Sequence, residues 1–376
     1  MKPLIGFAAC LIVTLCFAVE FAQIASAQTS TSPSAYVYLI KAVSNNTSEL
    51  DGYRADSTGA LTPLPGSPFW RSTSPNVGGM ALTGHWLFAT DGTSIYSFSI
   101  APNGALKKVS SVNAEQHSEC HCGSIGSLFL DHTGSTLYAL SIYDDGSNNT
   151  IQFFHKNGTT GALTFFGSAS PESAALWGPL SFTGNNEWGY NASCIQESPI
   201  FYTSRRNSDG TLTRFLIEQP VPTVPNDNYC TFGHAADPTS HLAVGFATES
   251  TNRTQLGVYT ADSAGNLTTK STYQNMPSAA VGLPSVLLMS PGGSLLAVGG
   301  TRGLQVFHFH GSNPITSYTG LIAAHPIYDL AWDTHNHLYA IGSGRVNAFR
   351  VTTTGYKQAS GSPYAINAKA IAVLSK

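Results

Sequence analysis

The chain has 376 residues and a formal net charge of −3, and only 10% of its residues are charged. A nucleic-acid partner would require clustered Lys and Arg side chains that contact phosphates, and the sequence contains no such cluster. The composition therefore excludes nucleic-acid binding. Abundant Ser, Thr, Asn and Gly instead favour a polar, nearly neutral surface.

Residues 1–27 have the pattern of a secretory signal peptide. Lys2 precedes an apolar run, and Ala25-Ser26-Ala27 provides small residues for cleavage. Glu20 interrupts the run before it could span a bilayer comfortably. We expect cleavage after Ala27, an extracytoplasmic location in the periplasm or outside the cell, and no membrane association afterwards.

A short phrase, Gly-x-Leu usually followed by Thr, recurs at intervals of about fifty residues, which is a period typical of repeat architectures. Five clear copies begin at Gly59, Gly104, Gly161, Gly210 and Gly265, and weaker copies lie at Asn313 and Gly355. Each repeat also contains apolar and alternating runs that indicate strands. Seven copies predict an all-β fold, a propeller of seven four-stranded antiparallel blades that forms a single domain over residues 28–376.

The innermost strand of each blade can be placed in chain order. We predict these strands at residues 80–82, 128–130, 180–182, 234–236, 286–289, 330–332 and 371–373. The mature chain starts on a second strand, residues 35–40, and ends on an inner one. The C-terminal strand is therefore expected to complete the N-terminal blade, which closes the ring and removes free sheet edges.

This repeat resembles the seven-bladed propellers of the 6-phosphogluconolactonase-like lactonase family and the related YVTN-repeat proteins. The resemblance rests on the Gly-x-Leu-Thr phrase, the Gly-Ser-Pro-aromatic endings at Gly66 and Gly361, and the Ser-Pro-Gly-Gly turn at Ser290. It implies a Gly-Pro-Arg-His phrase that leads into an inner strand and supplies catalytic Arg and His. That phrase is absent from this sequence.

Aligning the inner strands with this phrase shows which residues occupy the positions of its Arg and His. The Arg position is occupied by Gly126, Trp177, Phe232, Ser285, Tyr328 and Lys369, and the His position by Ser127, Gly178, Gly233, Val286, Asp329 and Ala370. Opening a lactone requires a base and a group that stabilises the oxyanion. The candidate set is Asp329 as base, with Lys369 or Arg302 as its electrostatic partner. Alternatively, Asp329 caps backbone N–H groups and Lys369 is solvated.

Four cysteines remain after signal cleavage, an even number that favours disulfides in a secreted protein. We prefer the pair Cys194 and Cys230, which flank the fourth blade. A second string, His117 to Cys122, crowds four candidate metal ligands, His117, Cys120, His121 and Cys122. Known zinc sites space their cysteines further apart and draw on two segments, so we expect neither a metal nor another cofactor.

Four aromatic residues, Trp177, Tyr229, Phe232 and Tyr328, lie in loops or strand starts that lead to the inner ring. Aromatic rings at such places stack on sugars or other flat ligands. The prediction is a monomeric binding or scaffold module for a small polar ligand, a carbohydrate or a protein partner. The alternative is a divergent lactonase or related ester hydrolase.

Overall fold

The computed structural model describes residues 32–74, 77–117, 124–142, 149–169, 178–195, 198–215, 217 and 219–376. Residues 33–376 form one compact unit. The predicted signal peptide lies outside the described residues. In the described part, strands account for nearly all regular structure, together with one 3₁₀ turn, Glu115–His117.

The first three blades follow one another along the chain. Blade 1 contains β1 (Ala35–Ser44), β2 (Thr47–Ala55), β3 (Leu61–Pro63) and β4 (Trp70–Ser72). Blade 2 contains β5 (Met80–Thr83), β6 (Trp86–Thr90), β7 (Ser94–Ile100) and β8 (Leu106–Asn113). Blade 3 contains β9 (Ser124–Leu130), β10 (Thr136–Ile142), β11 (Thr150–Lys156) and β12 (Leu163–Ala169).

Blades 4 and 5 are built in the same way. Blade 4 contains β13 (Ser181–Phe182), β14 (Trp188–Ile195), β15 (Ser198–Arg206) and β16 (Leu212–Phe215). Blade 5 contains β17 (Tyr229–Ala236), β18 (His241–Thr248), β19 (Thr254–Ala261), β20 (Leu267–Thr269) and β21 (Ser278–Ala279). The short strand β21 pairs with β19 beside β20.

The last two blades and one further strand complete the molecule. Blade 6 contains β22 (Pro284–Met289), β23 (Leu295–Gly300), β24 (Gly303–His310) and β25 (Asn313–Ala323). Blade 7 contains β26 (Asp329–Trp332), β27 (His337–Gly342), β28 (Arg345–Val351) and β29 (Tyr356–Gln358). The final strand is β30 (Ala368–Ser375), which joins blade 1. The predicted seven-bladed propeller is confirmed.

The C-terminal strand closes the ring as the sequence predicts. β30 pairs antiparallel with β1, with Leu39 opposite Ile371 and Ala35 opposite Ser375. β30 also contacts the innermost strands of both adjacent blades, β5 and β26. The edge of β1 is thereby covered, and the two ends of the chain are held in one sheet.

The hydrophobic core lies between blades. Seven apolar clusters occur in the described residues, and each is formed by two neighbouring blades. The second strand of a blade packs on both faces, so β23 and β27 are buried along their whole length. Continuous apolar runs are therefore typical of these strands. A single blade has no core of its own, because its apolar faces are covered only by its neighbours.

The recurring glycine makes a close contact between blades. A Cβ atom at Gly161 would lie 2.3 Å from Cε3 of Trp86 in the preceding blade. In five other blades a glycine makes the same contact with the first or second residue of the preceding blade's second strand. The pairs are Gly59 with His337, Gly104 with Tyr36, Gly210 with Thr136, Gly265 with Trp188 and Gly311 with His241. The phrase recurs because the interface between blades needs a residue without a side chain there.

Two of the weaker copies differ from this arrangement. In blade 6 the glycine with the interblade contact is Gly311, two residues before the predicted start at Asn313. A Cβ atom at Gly355, in blade 7, would have no neighbour within 4 Å. The contact is therefore made by six blades, and at Gly355 the sequence phrase marks only a turn.

Buried tyrosines strengthen the same interfaces. The hydroxyls of Tyr38, Tyr138 and Tyr190 donate to the carbonyl oxygens of Gly104, Gly210 and Gly265, at 2.8, 2.7 and 3.0 Å respectively. Burial raises the pKa of all three tyrosines above the usual value of a phenol. These hydroxyls therefore stay protonated and act as donors.

No helix in the described part of the chain has the length and apolar character needed to cross a bilayer.

Candidate functional site

The inner strands share an irregularity at one end of the propeller. We call the end where the inner strands begin the upper face, and the opposite end the lower face. Near the upper face the ladder between the first two strands skips one residue of the inner strand in three blades, at Gly126, Ser285 and Lys369. In blade 5 the inner strand also has one extra residue, because Phe232 and Gly233 are both opposite the single residue Gly245.

The skipped residues are β-bulges, which commonly redirect a side chain near a binding or active site. In the alignment of inner strands, Gly126, Phe232, Ser285 and Lys369 occupy the position of the Arg in the Gly-Pro-Arg-His phrase of the lactonases. All four lie in these bulges. The alignment therefore identified structurally equivalent positions, although none of them carries an Arg. The bulge in blade 5 lies beside a pocket.

A pocket of about 440 Å³ opens at the upper face between blades 4, 5 and 6. It is lined by Ala192, Ser193, Cys194, Thr231, Phe232, Gly233, Pro284 and Ser285. Among the residues that the structure describes, those lining the pocket carry no formal charge. The volume falls in the range of small-molecule sites.

Hydrogen bonds hold the pocket wall together. The hydroxyl of Thr231 donates to the carbonyl of Ser193, which links blades 5 and 4. The hydroxyl of Ser285 donates to the carbonyl of Ile327 at 2.5 Å, which links blades 6 and 7. Since both hydroxyl protons point to backbone carbonyls, the hydroxyl oxygens offer lone pairs to a ligand that donates hydrogen bonds.

The structure contains a disulfide between Cys194 and Cys230, the pair that the sequence favours. Their Cα atoms lie 5.1 Å apart, within the normal range for a disulfide. The bond joins the second strand of blade 4 to the inner strand of blade 5, and Cys194 lines the pocket. It therefore fixes the two strands that form one wall.

The predicted aromatic ligand residues have different environments. Phe232 is half-buried and lines the pocket. Tyr328 is 58% exposed just before β26, near the upper face. Tyr229 is only 2% exposed, and its hydroxyl donates to Oε1 of Gln255 at 2.6 Å, so its ring belongs to the core between blades 4 and 5. Trp177 lies outside the described residues.

Asp329 begins the inner strand of blade 7 and is half-buried. Its Oδ1 accepts the N–H of Leu330 at 2.8 Å, and its Oδ2 accepts the N–H of Ile371 at 3.2 Å. The carboxylate thus joins the inner strands of blades 7 and 1. Burial raises the pKa of Asp329 to about 6, although the two backbone hydrogen bonds oppose this shift.

The two candidate partners of Asp329 are both exposed on the upper side. Lys369 is the bulged residue of β30, and Arg302 lies in the turn between β23 and β24. No ion pair within 4.0 Å joins either cation to Asp329 in the described part of the chain. The polar contacts of Asp329 are therefore those of a carboxylate that caps backbone N–H groups.

The inner ring of blade 5 also contains His234, opposite Val244 in the ladder. Its Nδ1 lies 2.8 Å from Oγ of Ser181 in blade 4. Burial lowers the pKa of His234 to about 4, so the ring is neutral at physiological pH. This histidine links two inner strands.

Of the four candidate metal ligands, only His117 lies in the described residues; Cys120, His121 and Cys122 lie outside them. The His117 ring stacks on Phe165 with 4.0 Å between centroids, and burial lowers its pKa. No group of three or more His, Cys, Asp or Glu side chains that could hold a metal occurs among the described residues.

Comparisons with known proteins give similarity at the level of the fold. No protein-family model matches the chain, and no curated protein matches it. Among solved structures, the chain is similar to a candidate 6-phosphogluconolactonase from Bacteroides fragilis, with a TM-score of 0.59 and 14% identity over 92% of this chain and 99% of that chain.

Two further structures have the same architecture. A protein of unknown function from Desulfotomaculum acetoxidans matches with a TM-score of 0.60 and 13% identity, over 91% of this chain and 99% of that chain. Hydrazine synthase of Kuenenia stuttgartiensis matches with a TM-score of 0.55 and 12% identity, over 88% of this chain and 99% of that chain.

The protein is a seven-bladed β-propeller, and the predicted resemblance to lactonase-like propellers is confirmed for the fold. One fold of this kind supports several unrelated functions, so the function has to be argued from the site.

Proposed function

We propose that the protein is an extracytoplasmic binding propeller that holds a small, polar, uncharged ligand, of which a carbohydrate is the best example. The observation that carries this proposal is the uncharged pocket of about 440 Å³ beside the blade 5 bulge. Phe232 offers a ring on which a sugar can stack, and the hydroxyl oxygens of Thr231 and Ser285 accept hydrogen bonds from sugar hydroxyls.

The chemistry of the wall favours a neutral ligand over a phosphorylated acid. A bound phosphate would require Arg, Lys or several N–H donors, whereas the lining residues are uncharged and the hydroxyl protons are already donated to carbonyls. The signal peptide predicted over residues 1–27 and the disulfide support an extracytoplasmic location, because disulfides persist in oxidising compartments.

Replacing Phe232 by Ala is expected to weaken binding of a sugar about fivefold, because a stacking contact contributes about 1 kcal/mol. Isothermal titration of the mature protein with maltose, cellobiose and chitobiose measures the affinity. Tyr356→Ala is the matched control, since Tyr356 is a half-exposed aromatic residue outside the pocket. Equal affinity of the Phe232→Ala variant and the parent protein would refute the proposed site.

The second candidate function is that of a divergent lactonase, and the pKa of Asp329 favours it. A carboxyl with a pKa of about 6 in the inner ring is suited to act as a general base near neutral pH. Its two backbone N–H partners, on Leu330 and Ile371, would then orient it. Lys369 or Arg302 would have to approach on substrate binding to stabilise the oxyanion.

The lactonase alternative predicts a definite pH profile. The deprotonated carboxylate is the active base, so kcat/KM for a lactone should rise with pH and level off above about 6. Asp329→Asn should lower kcat at least about a hundredfold, whereas Asp209→Asn, in a turn of blade 4, should have no effect. A panel of γ- and δ-lactones assayed by pH-stat tests this. The absence of Asp329-dependent turnover would leave only the binding function.

A further inference from the structure

A second pocket lies on the lower face, where blade 7 meets blade 1. Its volume is about 430 Å³, and it is lined by Thr58, Arg350, Lys357, Gln358, Ala359 and Ser360. Thr58 lies in the turn between β2 and β3, and the other lining residues lie on or just after β28 and β29. The pocket is therefore separated by the height of the propeller from the uncharged pocket on the upper face.

Two cations face each other in this pocket. Arg350 on β28 is directly opposite Lys357 on β29, so their side chains share one face of the sheet. Cβ atoms of directly opposed residues lie about 5 Å apart, and like charges at this distance repel. In the described part of the chain, neither side chain forms an ion pair or a hydrogen bond, and both residues are exposed.

The acidic residue nearest in the chain to this pocket is occupied elsewhere. Oδ1 of Asp56 accepts the N–H and the hydroxyl of Thr58 at 2.8 and 2.7 Å, and the N–H of Ala60 at 3.0 Å. Among the described residues, Asp56 forms no ion pair with Arg350 or Lys357. In the part of the chain that the structure describes, no carboxylate lies within ion-pair distance of either cation.

We propose that this pocket binds a divalent oxyanion, a phosphate or sulfate group, between the guanidinium of Arg350 and the ammonium of Lys357. The planar guanidinium can donate two parallel hydrogen bonds to such a group, and the ammonium adds a second charge. Binding converts the repulsion between the two cations into attraction to a shared anion. The volume exceeds that of a free ion, so the group can also belong to a larger ligand.

Titration calorimetry with inorganic sulfate, inorganic phosphate and a sulfated disaccharide tests the site. Arg350→Gln combined with Lys357→Gln is expected to weaken binding of each probe about tenfold or more. The control combines Lys107→Gln with Lys270→Gln, which removes the same charge from exposed positions in blades 2 and 5. The control should bind within about twofold of the parent protein.

The possible results separate the alternatives. Equal binding by the double variant and the parent, equal loss in the control, or no heat with any probe would each overturn the proposal. Tighter binding of the disaccharide than of either free ion would indicate that the site takes a sulfate or phosphate group carried by a larger ligand. Equal affinity would indicate that it takes the free ion. Both results support the site. Because the two pockets lie on opposite faces, Phe232→Ala should leave this binding unchanged.

Thermal unfolding gives a second measurement that does not depend on calorimetric heat. In low-salt buffer without sulfate or phosphate, Lys357→Gln should raise the melting temperature slightly, because it removes the repulsion with Arg350. With saturating sulfate the order should reverse, since the parent protein gains more from the bound anion. A melting temperature that responds to sulfate equally in both proteins would contradict the proposal.

Discussion

Deletion of residues 369–376 is expected to abolish the cooperative unfolding transition of the protein. The deletion removes the inner strand of blade 1 and exposes the whole edge of β1. It also removes Ile371 from the core between blades 7 and 1, and Ala370 and Ala372 from the core between blades 1 and 2. Both interfaces of the ring's closing blade are weakened together, so the loss should far exceed that of eight exposed residues.

Circular dichroism melting and size-exclusion chromatography measure this effect. The expected result is a broad, early transition and aggregated protein, because the open strand edge pairs with other chains. Deletion of Lys376 alone is the control and should change the melting temperature little, since it removes only an exposed residue after β30 with one backbone hydrogen bond, to the carbonyl of Ser34, and one contact with the Tyr36 ring. A truncated protein that melts sharply at the parent temperature would refute ring closure by β30.

Gly161→Ala is expected to lower the free energy of unfolding by about 2–5 kcal/mol. Gly161 has a φ of +68°, a left-handed conformation that costs an L-residue about 1–2 kcal/mol. The new Cβ atom would also lie 2.3 Å from Trp86, which is only 5% exposed, so the ring must move within a packed interface. Overpacking of this kind costs about 1–3 kcal/mol.

Gly158 provides a matched control in the same turn. A Cβ atom at Gly158 would have no neighbour within 4 Å, and its φ is not in the left-handed region. Gly158→Ala should therefore leave the stability unchanged or raise it by a few tenths of a kcal/mol, as it restricts the unfolded chain. Urea unfolding compares the two variants, with the dependence of the unfolding free energy on urea concentration taken as the same for both. Similar midpoints for both would contradict the interblade role of the recurring glycine.

The sequence predicted the architecture because the repeat encodes it locally. Each copy of the phrase marks a turn, and in six blades the contact that requires a glycine there lies in the adjacent blade, so the period of the phrase is the period of the ring. The same regularity made the inner strands alignable, and the positions of Gly126, Phe232, Ser285 and Lys369 prove equivalent as bulges. The cysteine pair followed from their positions flanking one blade.

The candidate sites were less predictable, because side-chain surroundings depend on contacts between blades. Tyr229 and Phe232 are three residues apart on one strand, yet Tyr229 packs in the core and Phe232 lines a pocket. An odd spacing places two residues on opposite faces of a strand, but no local pattern shows that Phe232 lies in a bulge opposite Gly245 or that a pocket opens beside it. Likewise, the sequence gives no sign that Asp329 accepts an N–H from Ile371 in another blade.

The period of the repeat and the apolar and alternating runs of the strands are properties of short segments, and the sequence by itself determined them. The tertiary structure decided which side chains meet where blades adjoin. In the folded chain, Cys194 of the disulfide and Phe232 line the same pocket. Arg350 and Lys357 of the last blade line a pocket together with Thr58 of the first blade. Closure of the ring brings together residues nearly three hundred positions apart, and such proximity leaves no periodic signal in the sequence.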